Sequence, residues 1–166
     1  MSIASDTTLD NTINLSGSSA DILIGTNQSL TLGADAEVNL NGNGSRIDGG
    51  SSGSQLTNLG TITAGGTDGI NRTITDLTFD NQGTVEVEDG RTLNLFGNEF
   101  WTNSGAFVVG DSSSRLNLSG TFTTAGLGLV DNTAGGTAEL RGTLINTGDT
   151  FALDATTGDI LSLIHI

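Results

Sequence analysis

The chain has no cysteine, no proline, no tyrosine and no lysine, and aromatic residues make up only 4% of its 166 positions. Without cysteine there is no disulfide, no thiolate metal site and no thiol nucleophile. Its one histidine, His165, lies in the last six residues, so a Ser–His or Cys–His nucleophile pair has almost nothing to be built from. Positive charge is nearly absent. Five arginines stand against 19 acids, giving a net charge of −14, and a surface of that sign repels phosphate backbones and anionic lipid. No nucleic-acid partner is expected. No apolar run approaches the roughly 20 residues a membrane helix needs, so no membrane insertion of this segment is expected. The opening "MSIASDTTLD" has neither a basic nor an apolar stretch of the kind that marks a secretory signal.

What the chain does have is 25 glycines and an abundance of Ser, Thr, Asn and Asp. These residues favour turns and strands over helices. Low hydrophobicity with high charge also describes disordered chains. Strict apolar alternation in stretches such as "TVEV" and "TLNL" argues for strands instead.

The alternation repeats. Asn-x-Gly occurs at Asn58–Gly60, Asn81–Gly83, Asn103–Gly105 and Asn146–Gly148, with Thr124–Gly126 filling the gap. Successive copies are 23, 22, 21 and 22 residues apart. Two positions before each copy stands a large apolar residue: Leu56, Phe79, Trp101, Phe122 or Leu144. The strands that follow turn Ile62, Val85 and Val87, Phe107 and Val109, Leu127 and Leu129, and Phe151 and Leu153 inward. A second series, Leu93–Leu95, Leu116–Leu118 and Leu140, keeps the same period. That period is too short for a propeller blade of roughly 40 residues. It fits one turn of a β-solenoid, in which equivalent strands pair in parallel at about 4.8 Å. The apolar residues then form a ladder inside the coil. Asn amides stack at the corner, and Gly supplies a φ > 0 turn.

The reading is therefore an all-β parallel β-helix of about 22 residues per coil and about seven coils. Residues 56–160 are the regular coils. Residues 1–55 hold one or two less regular ones, with 41–55 as a loop. The terminal "LSLIHI", residues 161–166, resembles translated sequencing-library adapter, so His165 is set aside.

The "N-x-G-T-[VI]" and "L-N-L-x-G" phrases over residues 56 to about 155 resemble the parallel β-helix passengers of filamentous-haemagglutinin-like adhesins and autotransporters. That resemblance implies a right-handed solenoid and a structural or adhesive stalk within a larger bacterial secreted or cell-surface protein. The stalk would be extracellular, a monomeric segment of a longer chain. Its partner would be a glycan or protein receptor on a host or neighbouring cell. The family has no shared catalytic residues to carry over.

Several residue sets are candidates for chemistry. Asp89, Asp111, Asp131 and Asp154 follow the first strand of successive coils, and stacked carboxylates suit Ca²⁺. Exposed turn aspartates also occur with no such role. Beyond Ca²⁺ no cofactor is expected. Glu86 and Glu88 are two apart on one strand, roughly the 7 Å that a polysaccharide-cleaving carboxylate pair would use. A solvated strand face is the preferred reading, because the equivalent outward positions of the next coil are Val108 and Gly110. "GSSADILIG", residues 17–25, matches the calcium β-roll nonapeptide at Asp21 and Leu23 only. Thr-x-Thr pairs at 61/63, 73/75 and 121/123 are similar to those of ice-binding solenoids, which need them on one face. Trp101 is assigned to the inner ladder rather than to a sugar platform. The five arginines are read as surface charge balance.

Overall fold

The computed structural model describes residues 1–50, 52–96, 100–151 and 160–162, the last three by their backbone alone. Each turn contributes three short strands. Turn 1 is β1 (Ser2–Ile3), β2 (Thr7–Leu9) and β3 (Thr12–Leu15). Turn 2 is β4 (Asp21–Ile24), β5 (Ser29–Leu32) and β6 (Glu37–Leu40). Turn 3 is β7 (Arg46–Asp48), β8 (Gln55–Asn58) and β9 (Thr61–Ala64). Turn 4 is β10 (Asn71–Thr75), β11 (Thr78–Asn81) and β12 (Thr84–Val87). Turn 5 is β13 (Thr92–Leu95), β14 (Trp101–Asn103) and β15 (Ala106–Val109). Turn 6 is β16 (Arg115–Leu118), β17 (Thr121–Thr123), one helical turn α1 (Thr124–Leu127) and β18 (Leu129–Asp131). β19 (Thr137–Leu140) and β20 (Thr143–Ile145) begin a seventh, and β21 (Ile160–Ser162) pairs beyond β19.

Every strand pair is parallel and joins neighbouring turns, which makes the chain a β-solenoid. Face A collects the first strand of each turn, from β1 to β21. Face B runs from β2 to β14 and is continued by the β17–β20 pair through a bridge from Phe100 to Thr121. Face C runs from β3 to β18. The period is not uniform. Glu37 pairs with Thr61, 24 residues on, and Thr84 with Ala106, 22 on. Corners absorb the difference.

The inner ladder stands as the spacing predicts. Leu56, Phe79 and Trp101 are in register, as are Phe122 and Leu144, and the column starts a turn earlier at Leu30. Trp101 stacks on Phe122 at 4.6 Å and meets Phe107 edge-on at 5.7 Å. Its indole N–H donates to Ser119 O at 2.7 Å, so a buried polar handle is satisfied. All these side chains lie in one continuous apolar core.

Four expectations need correction. Residues 41–55 contain β7, which pairs with β4 and β10 and buries Ile47. One apolar residue between Arg46 and Asp48 carries no alternation, so only its neighbours reveal the strand. Pairing also runs without a break across residues 55 and 56, at the start of β8. In turn 6 the inward residue is Val130, and Leu129 is 55% exposed, because α1 uses up the extra residue. Thr123 caps α1 by accepting from Gly126 N at 2.9 Å. The predicted inward Leu153 lies outside the described residues, while Phe151 packs partly against the core.

The glycine of Asn-x-Gly is the fourth. Gly148 has the expected positive φ of 82°, but Gly60, Gly83 and Gly105 are not among the positive-φ residues. Glycine is needed there because turns stack closely at this corner. A Cβ on Gly83 would sit 2.1 Å from Gly60 O, and one on Gly105 2.0 Å from Gly83 O.

Candidate functional site

The corner between faces B and C is the most regular polar feature. Asn58, Asn81 and Asn103 are buried and stacked, as the repeat predicts. Asn58 Nδ2 donates to Asn81 Oδ1 at 2.8 Å, and Asn81 Nδ2 to Asn103 Oδ1 at 2.7 Å. Each amide also reaches a backbone carbonyl beyond it, Thr84 O at 3.1 Å and Ala106 O at 3.2 Å. The ladder ends at Asn103, whose Nδ2 donates to Leu127 O and Leu129 O. Asn146 is exposed and accepts from Thr124 Oγ1 instead. At the other end Asn58 Oδ1 has no partner, since its neighbour one turn back is Leu32.

The described aspartates, Asp89, Asp111 and Asp131, do not line up as one carboxylate stack. Asp89 Oδ2 accepts from Gly66 N at 2.9 Å, stapling one turn to the next. Asp111 repeats the device on Gly90 N at 3.2 Å and also accepts from Ser114 Oγ and Ser113 N, both at 2.7 Å. The Ser114 hydroxyl above all, with these amides, holds its carboxyl below the ordinary aspartate value. Asp131 is elsewhere. It pairs with Val108 on face C and accepts from the N–H and hydroxyl of Thr133, which lower its pKa. Asp154 lies outside the described residues. Among those described, no three His, Cys, Asp or Glu side chains converge as a metal site.

Glu86 faces outward on β12, with Thr63 and Val108 as its register neighbours. Glu88 follows the strand and is half-buried. Burial raises its pKa, and the charges of Asp89, Glu86 and Asp111 raise it further. Its surroundings are acids, with no cation to oppose them in that set. The calcium-roll reading fails on geometry. Leu23 points outward and is 40% exposed, while Ile22 and Ile24 fill the core. Asp21 is paired with Arg46 at 3.0 Å.

Thr-x-Thr is dispersed too, at 61/63 on face C, 73/75 on face A and 121/123 on face B. The structure brings other threonines together. Thr8, Thr31 and Thr57 are consecutive in one outward column of face B, followed by Asp80 and Thr102. The intervals of 23 and 26 residues between the first three concealed this column from the sequence.

Arg72 is the functional-looking residue that sequence reasoning missed. It occupies an inward position of β10, in the column that holds Leu93 and Leu116 in later turns. It is fully buried rather than part of the surface charge. Its guanidinium donates to Leu40 O at 2.6 Å, to Asn41 O, Gly65 O and Asp68 O at 2.8 Å, and to Asn71 O at 3.1 Å. Five carbonyls from the face C to face A corners thus converge on one cation. Burial first, then the charge of Arg91, lowers its pKa. Its surroundings are those of a structural clamp, enclosed and fully engaged.

Comparison with protein-family models, with curated proteins and with solved structures finds no match. No helix among the described residues is long and apolar enough to cross a membrane.

Proposed function

We propose that the chain is a section of a structural or adhesive rod, part of a larger bacterial secreted or cell-surface protein of the filamentous-haemagglutinin or autotransporter-passenger type. The observation that supports this most is the inner ladder. Each buried residue packs on its equivalent one turn away, so the architecture extends by adding turns, at about 4.8 Å each. Length is then the property that selection acts on, and the outward residues are free to carry binding surfaces.

The carboxylates named above are engaged in turn hydrogen bonds or exposed among like charges, which favours the rod over a calcium module or a glycan-cleaving enzyme. Sequencing the genomic frame beyond residue 160 tests the reading. Further coils leading to a surface anchor or export domain support it. A stop codon directly after the described coils, in genuine genomic sequence, contradicts it.

A further inference from the structure

Face B carries the fewest charged groups of the three faces. Asp80 is the one charged side chain among its described strand residues, while face A carries a mixture of both signs in Asp21, Arg46, Asp48, Arg72, Arg115 and Glu139, and face C carries the acids Glu37, Glu86 and Asp131. On a chain of net charge −14, face B is a nearly neutral surface. Near its middle stands Phe100, 55% exposed and bridged to Thr121 of the next turn. Its neighbour Trp101 points into the core at 4% exposure, so the pleat turns Phe100 outward. The register of Phe79 with Trp101 sets Thr78 opposite Phe100 on one side, and Thr121 stands on the other.

Thr102 lies beside this row and donates to Asp80 Oδ1 at 2.8 Å, while Gln82 Nε2 donates to Asp80 Oδ2 at 2.6 Å. The one carboxylate is thus held in a fixed orientation by neutral donors. An exposed aromatic ring on a strand face, with the threonines Thr78 and Thr121 on the neighbouring strands at about 4.8 Å and Thr102 two residues along, has two complementary surfaces. The ring offers an apolar platform, and the hydroxyls and carboxylate offer directional partners. Sugar rings present the matching pair, an apolar C–H face and a rim of hydroxyls.

We infer that face B around Phe100 binds an uncharged polysaccharide lying along the solenoid axis. Net negative charge disfavours anionic glycans. A water lattice is disfavoured as well, because the Phe100 ring interrupts the plane of threonine hydroxyls. The inference deepens the adhesive reading by giving the rod a ligand class and a face, and rests on that reading for its biological sense.

The test is affinity electrophoresis of the whole chain through gels containing soluble neutral glucan, mannan or xylan, with pull-down on cellulose and chitin. Retardation by at least one neutral polysaccharide is expected. Phe100→Ala should weaken it at least tenfold, and Leu129→Ala, an equally exposed residue on face C, should leave it unchanged. Circular dichroism of both variants should match the parent. Indifference to all neutral polysaccharides, equal retardation of Phe100→Ala, or binding of anionic glycans alone would overturn the inference. So would freezing-point hysteresis without glycan binding. Any of these outcomes in a chain still measured as an extended rod would remove the face and leave the rod.

Discussion

Replacing Arg72 by methionine keeps an unbranched apolar stem, stops short of the guanidinium position and removes every donor. The enclosed acceptors, Leu40 O and Gly65 O, would remain buried, whereas Asn41 O, Asp68 O and Asn71 O have some access to water. A buried acceptor left without a partner costs about 1–3 kcal/mol, so two of them cost about 2–6. Relief of the buried charge offsets part of this, because taking a cation out of water is itself unfavourable. The offset is incomplete, since the carbonyls belong to the backbone and stay in place when the arginine goes. A net loss of about 3 kcal/mol is expected. Urea unfolding, followed by far-ultraviolet circular dichroism and Trp101 fluorescence, reads it as a lower midpoint with unchanged slope. Arg91→Met, at a half-buried arginine, should lose less than about 1 kcal/mol. Hydrogen exchange should quicken first around residues 41–45 and 65–70. A loss below about 1 kcal/mol for Arg72→Met would refute the reasoning, showing that the carbonyl cluster needs no cation.

Gly83→Ala should destabilise by more than about 2 kcal/mol, because its Cβ would meet Gly60 O at 2.1 Å. Gly17→Ala, whose nearest contact would be Ala20 Cβ at 3.9 Å, should be close to neutral, and thermal melts compare the two. Asn81→Leu should cost about 2–4 kcal/mol in urea unfolding, since it removes the middle amide and strands Asn103 Oδ1 in the core. Stability should also rise and then fall as pH is lowered. Glu88, with its folded pKa raised, holds its proton more tightly in the folded state, so it adds stability near pH 4.5 that is lost as pH climbs above that. Asp6, Asp111 and Asp131 have lowered values, so their contribution is present above about pH 4 and is lost on further acidification. Glu88→Gln should abolish the rise and leave the acid loss. Millimolar Ca²⁺ should shift the melting temperature by less than about 2 °C relative to chelator. A rise above 5 °C, on the order of 1 kcal/mol, would show that the turn aspartates share a cation.

Faces B and C of turns 3 to 5 were the most legible from the sequence. There the inward residues before and after the corner are apolar, most outward ones are polar and the corner is Asn-x-Gly, so residue type reports position directly. Legibility failed wherever one inward residue was of the wrong type. Arg72 reads as a surface charge until its place in the Leu93 and Leu116 column is known. β7 is invisible because Ile47 is its only apolar residue. Leu129 and Val130 are both apolar, and only the helical turn α1 before them decides which one enters the core. The threonine column of face B was hidden because its members follow no fixed interval. Of the aspartate candidates Asp89 and Asp111 lie in turns, as read, whereas Asp131 ends β18 and Asp154 lies outside the described residues. Which donors they meet depends on the neighbouring turn, information that a single turn does not contain.

Parallel turns rise in register along the solenoid, and the absence of cysteine makes that rise directly measurable. Paired Cys substitutions for spin labelling can be placed at Thr8 with Thr102 and at Thr8 with Thr123, all outward on face B. Pulsed electron–electron resonance should give mean separations near about 19 Å and 24 Å, four and five turns of about 4.8 Å. A steady increase of one strand spacing per turn is the predicted result. Equal distances for the two pairs, or a shorter one for Thr8 with Thr123, would contradict the solenoid itself.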